Sequence, residues 1–378
     1  MQSFITASGQ FLPGKPIAND AISAHIGMIS ERCEREGRLA LRQNGIRHRH
    51  YAMDSNGESD WTVSHLAAAA LDDLLSRAEL DRDAIGYLAT ATTQNDLLVP
   101  GLASAVHGLS GLPPLELSSH QSVCASSMMA LKGAALQVAA GEHRAALALG
   151  AEFASRYFRP GHYIGTETLS ADGVLPRDAA FLRWTLSDGA AGVLIEDRPA
   201  AHGLSLRIDW IMSRSFADRF APCMTGGAVK GEDGVIMPWS HSASISEAAS
   251  RGAFQLRQDM DALHRMLPVW LGEFMRLVDE GRFVPDEIDW FLCHFSAKSL
   301  REEMVRLATR AGCMIPEERW FTNLYDKGNV GAASPFLLID DLLRSQQLRP
   351  GQKILCAVPE SGQCIMAHAL MTVVEREG

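Results

Sequence analysis

The chain has 378 residues, 47% of them hydrophobic and 21% charged, and a formal net charge of −10. This is the composition of an ordinary globular protein, and the length allows two fused halves. The acidic balance, and the lack of a Lys/Arg-rich run with interleaved aromatic residues, argue against a nucleic-acid-binding surface.

We predict no targeting or membrane-spanning segment. The N-terminal residues lack a basic stretch followed by an apolar run, and no apolar run is long enough to cross a bilayer. The seven cysteines are scattered and none forms a CxxC pair, so we predict neither a metal site nor a disulfide framework. A reducing cytoplasm is therefore the expected location.

The first candidate binding residues are three arginines, Arg42, Arg47 and Arg49. Guanidinium groups bind phosphate through paired hydrogen bonds, so this segment could hold the phosphate of a ligand or of a phosphate-bearing carrier. The alternative is that the arginines only form a solvated basic face.

An apolar strand begins near Ala84 and is followed by a helix with apolar residues at helical spacing. The next stretch, SVCASSMMALKGAALQVAAG, is a small-residue turn around Cys124 and then a helix that ends near Gly141. Residues 145–149 form the following apolar strand. Farther along, Glu152 and Arg156 have the spacing of an ion pair, and a structural pair is favoured over a carrier contact.

The second half repeats this order of elements. A strand begins near Glu287 and ends before His294, and a helix follows. The turn KGNVGAAS contains Asn329, and after it come another helix and a strand over residues 353–358. Residues 161–181 and 213–259 have no clear periodicity and are predicted to be loops, lids or added helices.

The repeat predicts a duplicated α/β fold with parallel sheets covered on both faces. We divide the chain into halves at residues 1–198 and 199–378, with an insertion near 213–259. Functional groups of such sheets gather at the carboxyl ends of strands and at helix N-termini. Cys124, His294 and Asn329 are therefore expected to converge.

Each of these three residues has an ordinary structural alternative. Cys124 precedes a helix, whose dipole would favour the thiolate, but buried cysteines commonly act as small apolar residues. His294 ends an apolar strand and could be a satisfied core residue. Asn329 lies beside glycines, where asparagine usually serves a turn.

Together, SVCASSMMAL, WFLCHFSAK and KGNVGAAS resemble the Cys-His-Asn motifs of the ketoacyl-ACP synthase III branch of the thiolase superfamily. Residues 41–49, 186–191 and 359–362 also resemble segments of that family, in the family's order. The resemblance implies the thiolase fold, with duplicated α/β halves in a five-layered αβαβα architecture.

The resemblance also implies a mechanism. Cys124 would carry an acyl group, and the backbone amides of Cys124 and Gly362 would form the oxyanion hole. His294 and Asn329 would stabilise the enolate of a second thioester, which attacks the acyl group and forms a carbon–carbon bond. No bound cofactor is expected. The implied partners are a second copy of the chain and acyl-CoA or an acyl carrier protein, with no nucleic acid and no membrane.

Three features differ from the priming synthases. Arg38 stands where they usually have tryptophan, and Phe295-Ser296-Ala297 stands where they have Gln-Ala-Asn. The separation of Cys124 and His294 by 170 residues is also longer than theirs, and we assign the excess to residues 161–181 and 213–259. The chain is more similar to the dialkylresorcinol- and cyclohexanedione-forming ketosynthases. That branch is expected to join a 3-oxoacyl thioester to a 2,3-unsaturated acyl thioester and close a ring. The alternatives are a priming ketoacyl-ACP synthase III that uses malonyl-ACP, and a silent partner subunit of another ketosynthase.

Overall fold

The computed structural model describes residues 2–231 and 234–376. Its strands are β1 (Phe4–Phe11), β2 (Ile17–Ala18), β3 (His48–Arg49), β4 (Ile85–Thr92), β5 (Glu116–Gln121), β6 (Ala145–Glu152), β7 (Gly189–Glu196), β8 (Leu204–Ser215), β9 (Met224–Thr225), β10 (Ala228–Lys230), β11 (Ile236–Pro238), β12 (Arg257–Gln258), β13 (Trp290–Cys293), β14 (Lys353–Glu360) and β15 (Ile365–Glu375).

Its α-helices are α1 (Ile22–Ile26), α2 (Glu31–Asn44), α3 (Val63–Leu75), α4 (Leu102–Ser110), α5 (Ser126–Ala140), α6 (Arg177–Arg183), α7 (Ile245–Ser250), α8 (Met260–Asp279), α9 (Lys298–Ala311), α10 (Leu324–Lys327) and α11 (Ser334–Arg344).

Helix α5 shows how the local sequence determines an element. Its Ala-, Leu- and Met-rich segment has high helix propensity, and the helix stops at Gly141, which adopts the left-handed conformation with φ 81°. The predicted end of this helix is thus confirmed. The strand that follows is β6, which extends beyond the predicted residue 149 to Glu152.

The large sheet has the strand order β13-β14-β15-β8-β1-β7-β6-β4-β5 among the described residues. Its first half runs β5-β4-β6-β7-β1. The second half, β13-β14-β15-β8, repeats that order, and a single parallel bridge between Phe291 and Trp320 stands in the place of the outermost strand. The halves join where Phe4 and Ile5 of β1 pair with β8. The topology therefore shows the repeat predicted from the sequence.

The prediction of wholly parallel sheets is wrong. Among the strands of the described residues, only β4 with β5 and β6, and β13 with β14, pair in parallel. Strand β6 pairs antiparallel with β7, and β14 pairs antiparallel with β15. Helices cover both faces, so the antiparallel strand β7 is also almost continuously buried. An apolar run without alternation reports burial on both faces and not strand direction.

The helices form three layers around the two half-sheets. Helices α3 and α4 pack on the outer face of the first half, and α8 packs on β15 of the second, with α9 beside it. Helices α5 and α11 lie between the halves and contact strands of both. Three apolar cores fill the spaces between these layers, so the order of layers is αβαβα.

The loop between β7 and β8 contains the predicted boundary at residues 198/199. The predicted insertion, residues 213–259, includes the end of β8, β9 to β12 and α7. Strand β9 pairs with β12, and Trp239 packs on Phe254 in a small core of its own. The insertion is thus a folded segment on the second half.

Candidate active site

Cys124 lies in the turn between β5 and α5, two residues before the helix begins. It is buried, as are Ala125, Ser126 and Ser127 after it. The hydroxyl of Ser127 donates a hydrogen bond to the carbonyl of Cys124 (2.9 Å) and so helps to fix the turn. Small side chains here let other chain segments approach the sulfur.

His294 follows β13 directly, as the sequence predicts. Its backbone N–H donates to the carbonyl of Ala357 (3.0 Å), which extends the parallel pairing with β14 by one step and fixes the direction of the side chain. The imidazole Nε2 lies 3.1 Å from the sulfur of Cys124, within hydrogen-bond distance.

Asn329 lies between α10 and a short 3₁₀-helix, Gly331–Ala333. Its carbonyl accepts from the N–H of Ser187 (2.8 Å), and its side-chain Oδ1 accepts from the N–H of Gly331 (3.0 Å). Because Oδ1 is held in this way, the Nδ2 amide group has a fixed direction. Asn329 lines the same cavity as Cys124 and His294. The structure thus brings the three predicted side chains together.

Burial sets the protonation states of the pair. It raises the pKa of the Cys124 thiol well above its ordinary value, and the nearby carboxyl groups of Glu360 and Glu152 add to this effect. Burial also lowers the pKa of His294 to about 4. The pair is therefore a neutral thiol and a neutral imidazole at neutral pH. The expected lowering of the thiol pKa by the helix dipole is outweighed by desolvation.

Glu360 fixes the cysteine turn from the second half. It is fully buried at the end of β14, where Oε2 accepts from the N–H of Ala125 (2.8 Å) and Oε1 accepts from the hydroxyl of Ser122 (2.6 Å). Gly362 follows in the turn before β15, and a Cβ built on it would lie 3.1 Å from Cγ2 of Val123. The predicted oxyanion-hole glycine is therefore packed against the residue that precedes Cys124.

Glu152 is a cavity residue to which the sequence assigned no role in the site. It ends β6, it is 5% exposed, and burial raises its pKa to about 7. The predicted pairing of Glu152 with Arg156 is wrong: Arg156 donates to Asp96 (2.8 Å). The sequence feature that could have identified Glu152 is its position at the end of an apolar strand, because functional groups of such sheets gather at strand ends.

The rest of the cavity wall is mainly apolar. Its side chains come from α6, the insertion, α8, α9 and the segment after His294: Leu182, Met224, Leu256, Leu263, Leu267, Trp270, Phe295, Leu300 and Met304. Two methionines of α5 are not part of this wall: Met128 is packed in the central core, and Met129 is 37% exposed. The lining suits an acyl chain.

The three arginines lie in different environments. Arg49 is completely buried and donates to the carbonyl of Trp184 (2.7 Å) and to Asn19 (2.8 Å), so the expectation that it binds a carrier phosphate is corrected. Arg47 is exposed and makes a bidentate contact with Asp326 (2.9 Å for both oxygens). Arg42 is exposed on α2, and its phosphate-binding role stays a prediction.

Within residues 2–231 and 234–376, no group of three or more His, Cys, Asp or Glu side chains could hold a metal ion. None of the helices described is long and apolar enough to span a membrane. All seven cysteines are free and buried.

Two families of known proteins match parts of the chain. Residues 49–174 match the N-terminal domain of thiolase, and residues 278–370 match the C-terminal domain of 3-oxoacyl-(acyl-carrier-protein) synthase III. A beta-ketoacyl-(acyl-carrier-protein) synthase III of Hyphomonas neptunium is 27% identical over 358 residues, which cover 94% of this chain and 94% of that protein.

Solved structures agree over almost the whole chain. AbyA1, a tetronic acid condensing enzyme, superposes with a TM-score of 0.77 at 21% identity and covers 98% of this chain and 99% of its own. The 3-oxoacyl-(acyl carrier protein) synthase III FabH of Pseudomonas aeruginosa has a TM-score of 0.72 at 19% identity, with full coverage of both chains. The predicted thiolase fold is confirmed.

Proposed function

We propose that this chain condenses two acyl thioesters through an acyl group carried on Cys124. It is an acyltransferase-type ketosynthase, and its thiolase-superfamily domains are of the FabH-like 3-oxoacyl-ACP synthase III type. The observation that carries the role of Cys124 is its contact with His294. The imidazole Nε2 and the sulfur lie 3.1 Å apart inside an apolar cavity that Asn329 also lines.

The first half-reaction is acyl transfer to sulfur. Since the Cys124 thiol has a raised pKa, little thiolate exists at rest, and the thiol proton moves to His294 Nε2 as the sulfur attacks the thioester carbonyl. The backbone amides of Cys124 and Gly362 then hold the oxyanion. Preorganised donors of this kind each lower a barrier by about 3 kcal/mol. As the oxyanion collapses, the bond between the carbonyl carbon and the donor's sulfur breaks, and the donor leaves as a thiolate that takes a proton from water. The imidazole keeps a proton on Nε2 for the second half-reaction.

The second half-reaction forms the carbon–carbon bond. His294 Nε2 and Asn329 Nδ2 donate hydrogen bonds to the carbonyl of the second thioester, so that its enolate is stabilised in a site from which bulk water is excluded. The enolate carbon attacks the acyl carbonyl or its conjugated double bond. Asn329 suits this step because an uncharged amide donates to the enolate without repelling it.

We further propose that the two substrates are a 3-oxoacyl thioester and a 2,3-unsaturated acyl thioester, which give a cyclohexanedione or dialkylresorcinol precursor. The mainly apolar wall of the cavity beside Cys124, His294 and Asn329 supports this choice. Met224, Leu256 and Gln258 of the insertion are part of that wall. The insertion therefore shapes the acyl-binding space as well as lengthening the chain.

Product analysis tests this assignment. Purified enzyme is incubated with a 3-oxoacyl and a 2,3-unsaturated acyl thioester, and a cyclic product is expected by mass spectrometry and NMR. Cys124→Ala is the inactive control. A wild-type enzyme that makes only a linear 3-oxoacyl chain from malonyl-ACP and an acyl-CoA would overturn the ring-forming assignment.

That linear reaction is the second candidate function. It is supported by the name of the Hyphomonas relative, a beta-ketoacyl-(acyl-carrier-protein) synthase III. Malonyl-ACP loses carbon dioxide to form its enolate, so this reaction needs no proton-abstracting group. The two candidates are separated by whether turnover requires a malonyl donor.

A silent partner subunit is the remaining alternative. The hydrogen-bonded Cys124–His294 pair and the adjoining Asn329 speak against it, because a silent subunit needs none of these three groups. Intact-mass measurement after incubation with an acyl donor tests it. An acyl adduct on Cys124 is expected, and a chain that remains unmodified would favour the silent subunit.

The assembly we propose is a cytoplasmic homodimer that receives its substrates as CoA or carrier-protein thioesters. Two features of the first half support the dimer. Strand β5 is a half-exposed strand at the edge of the sheet, and near it lies an exposed apolar run, Leu97, Leu98 and Val99. Light scattering of the purified chain is expected to give twice the mass of 41.1 kDa. A monomeric mass would contradict the dimer.

A further inference from the structure

The proposed ring-forming reaction requires a base that removes a proton from the 3-oxoacyl substrate. A 3-oxoacyl thioester keeps its carboxyl carbon, so its enolate forms only when a base removes a proton from C2. His294 is poorly suited to act as that base, because its Nε2 already contacts Cys124 and burial lowers its pKa to about 4. This inference therefore rests on the proposed function and concerns the residue that supplies the base.

Glu152 has the geometry of such a group. Its oxygen Oε1 accepts hydrogen bonds from the N–H of Thr93 (3.0 Å), the hydroxyl of Thr93 (2.6 Å) and the N–H of Ala332 (2.9 Å). Its other oxygen, Oε2, accepts no hydrogen bond from the residues described at 2–231 and 234–376. Glu152 lines the cavity beside Cys124, so one oxygen is anchored and the other remains for a ligand.

Gly331 shows how closely the two halves meet at this carboxyl group. A Cβ built on Gly331 would lie 2.7 Å from Glu152 Oε1, and the φ of +47° at this position also favours glycine. Gly331 and Ala332 follow Asn329 in the chain. The enolate-stabilising amide and the carboxyl group are consequently fixed relative to each other by the same short segment.

We propose that Glu152 is the general base that removes the C2 proton of the 3-oxoacyl substrate. The C2–H bond breaks, the proton forms an O–H bond with Oε2, and the electron pair spreads over the two carbonyl groups of the substrate as an enolate. C2 then bonds to C3 of the unsaturated acyl group on Cys124. The electron pair of that double bond moves to the acyl C2, which takes a proton back from Glu152, and the carboxylate is regenerated.

The electrostatic setting fits this role. Burial raises the pKa of Glu152 to about 7, close to the optimum for a base that works at neutral pH. The hydrogen bonds from Thr93 and Ala332 and the charge of Arg156 limit the rise. Arg156 and Cys124 interact electrostatically with Glu152. Asp96 and Asp188 lie beside Arg156, and His294 and Glu360 lie beside Cys124.

The decisive variant is Glu152→Gln. Its side-chain oxygen can keep the three hydrogen bonds, but an amide nitrogen that cannot accept a proton replaces Oε2. Acylation of Cys124, followed by intact mass, is expected to proceed at the wild-type rate or faster, because loss of the carboxyl charge removes one cause of the raised thiol pKa. Ring formation is expected to fall by about 100-fold or more. Ring formation within a few-fold of wild type would overturn the inference, and so would an equal loss of acylation, which indicates a structural role.

Thr93→Val provides a matched second variant. It removes one hydrogen-bond donor to Oε1 and keeps the carboxyl group, so the pKa of Glu152 rises further. The rate of a base-dependent reaction increases with pH through the pKa of the base, near 7 in the wild type. The midpoint is expected to move to higher pH in Thr93→Val. A residue that only holds the loop would leave the midpoint unchanged.

Exchange of deuterium into C2 separates the base from the proposed function. In D₂O, wild-type enzyme is expected to speed exchange at C2 of a non-hydrolysable 3-oxoacyl thioester analogue, and Glu152→Gln is not. Exchange equal in both enzymes would overturn the role of Glu152. If exchange depends on Glu152 but no ring forms with the unsaturated partner, the base stands and the ring-forming assignment fails.

Discussion

The contact between Cys124 and His294 joins two neutral groups. A buried thiolate–imidazolium pair would have to offset the desolvation of two charges, and the raised thiol pKa and lowered imidazole pKa both disfavour it. The reactive thiolate thus forms together with proton transfer to Nε2, and not before it. In the reaction proposed above, we therefore expect His294 to act in acylation as well as in condensation.

Asn329 is expected to act only in condensation. Asn329→Ala should leave the acyl adduct on Cys124 intact and lower the rate of carbon–carbon bond formation by about 100-fold, because one enolate donor is lost. Rapid-quench mass spectrometry measures the two steps separately.

Asn329→Asp is the control for this prediction. Aspartate keeps an acceptor for the N–H of Gly331 and removes only the Nδ2 donor. If condensation returned with aspartate, Asn329 would serve its loop and not the enolate.

His368 provides a test of burial away from the site. It lies on β15 beside the ring of Phe274, its Nε2 has no hydrogen-bond partner among the described residues, and burial lowers its pKa to about 4. The unfolded chain, with an ordinary value near 6.5, binds the proton more readily. The folded state therefore loses stability as pH falls from about 6.5 towards 4.

Replacing that histidine should remove part of this loss. His368→Phe is expected to raise the free energy of unfolding relative to wild type by about 1–2 kcal/mol at pH 5, and by less at pH 8. Urea denaturation at the two pH values measures the difference. An effect of the same size at both would show that packing, and not protonation, is responsible.

At the scale of elements, β6 and the 3₁₀-helix Gly331–Ala333 meet without room for a side chain. A Cβ on Gly150 of β6 would lie 2.5 Å from the carbonyl oxygen of Ala332. Gly150→Ala is expected to destabilise the fold by about 1–3 kcal/mol and to slow condensation, since it displaces the segment that follows Asn329.

The matched control is Gly108→Ala in α4, where no heavy atom lies within 4 Å of the added Cβ. This change should be neutral or stabilise the helix by up to about 1 kcal/mol. Denaturant midpoints and single-turnover rates of both variants are compared. A Gly150→Ala enzyme as stable and active as wild type would show that the Ala332 carbonyl group can move away from the added Cβ without loss of stability.

The elements predicted from the sequence are those that carry the repeat. The strands before His294 and around residues 145–149, and the helix that ends at Gly141, are found at their predicted places because apolar runs and glycine stops are local signals. Strand direction, and the pairing of Arg156 with Asp96 instead of Glu152, depend on distant segments. No local pattern reports them.

At the scale of the whole molecule, the candidate site lies where the two halves meet. Cys124 and Glu152 come from the first half, and His294 and Asn329 come from the second. The duplication predicted the convergence of Cys124, His294 and Asn329, because equivalent strand ends face each other, but it did not single out Glu152. It could not predict the cavity wall, since the insertion has no counterpart in the first half and α8 contributes side chains to the wall that its counterpart α3 does not.

The cavity wall leads to a prediction about chain length. Trp270 of α8 is almost fully buried and lines the cavity. Trp270→Ala removes a large part of this wall, so longer acyl groups are expected to gain in kcat/KM relative to shorter ones, while the fold loses about 3–5 kcal/mol of stability. Competition between acyl thioesters of different length measures the preference.

Leu271→Ala serves as the control for that change. Leu271 is the next residue of α8 and is buried in the same apolar core as Trp270, but it does not line the cavity. It should destabilise the fold by about 2–5 kcal/mol without altering the preference for chain length. Equal shifts in both variants would mean that general loosening of α8, and not the volume that Trp270 occupies, determines which acyl chains enter.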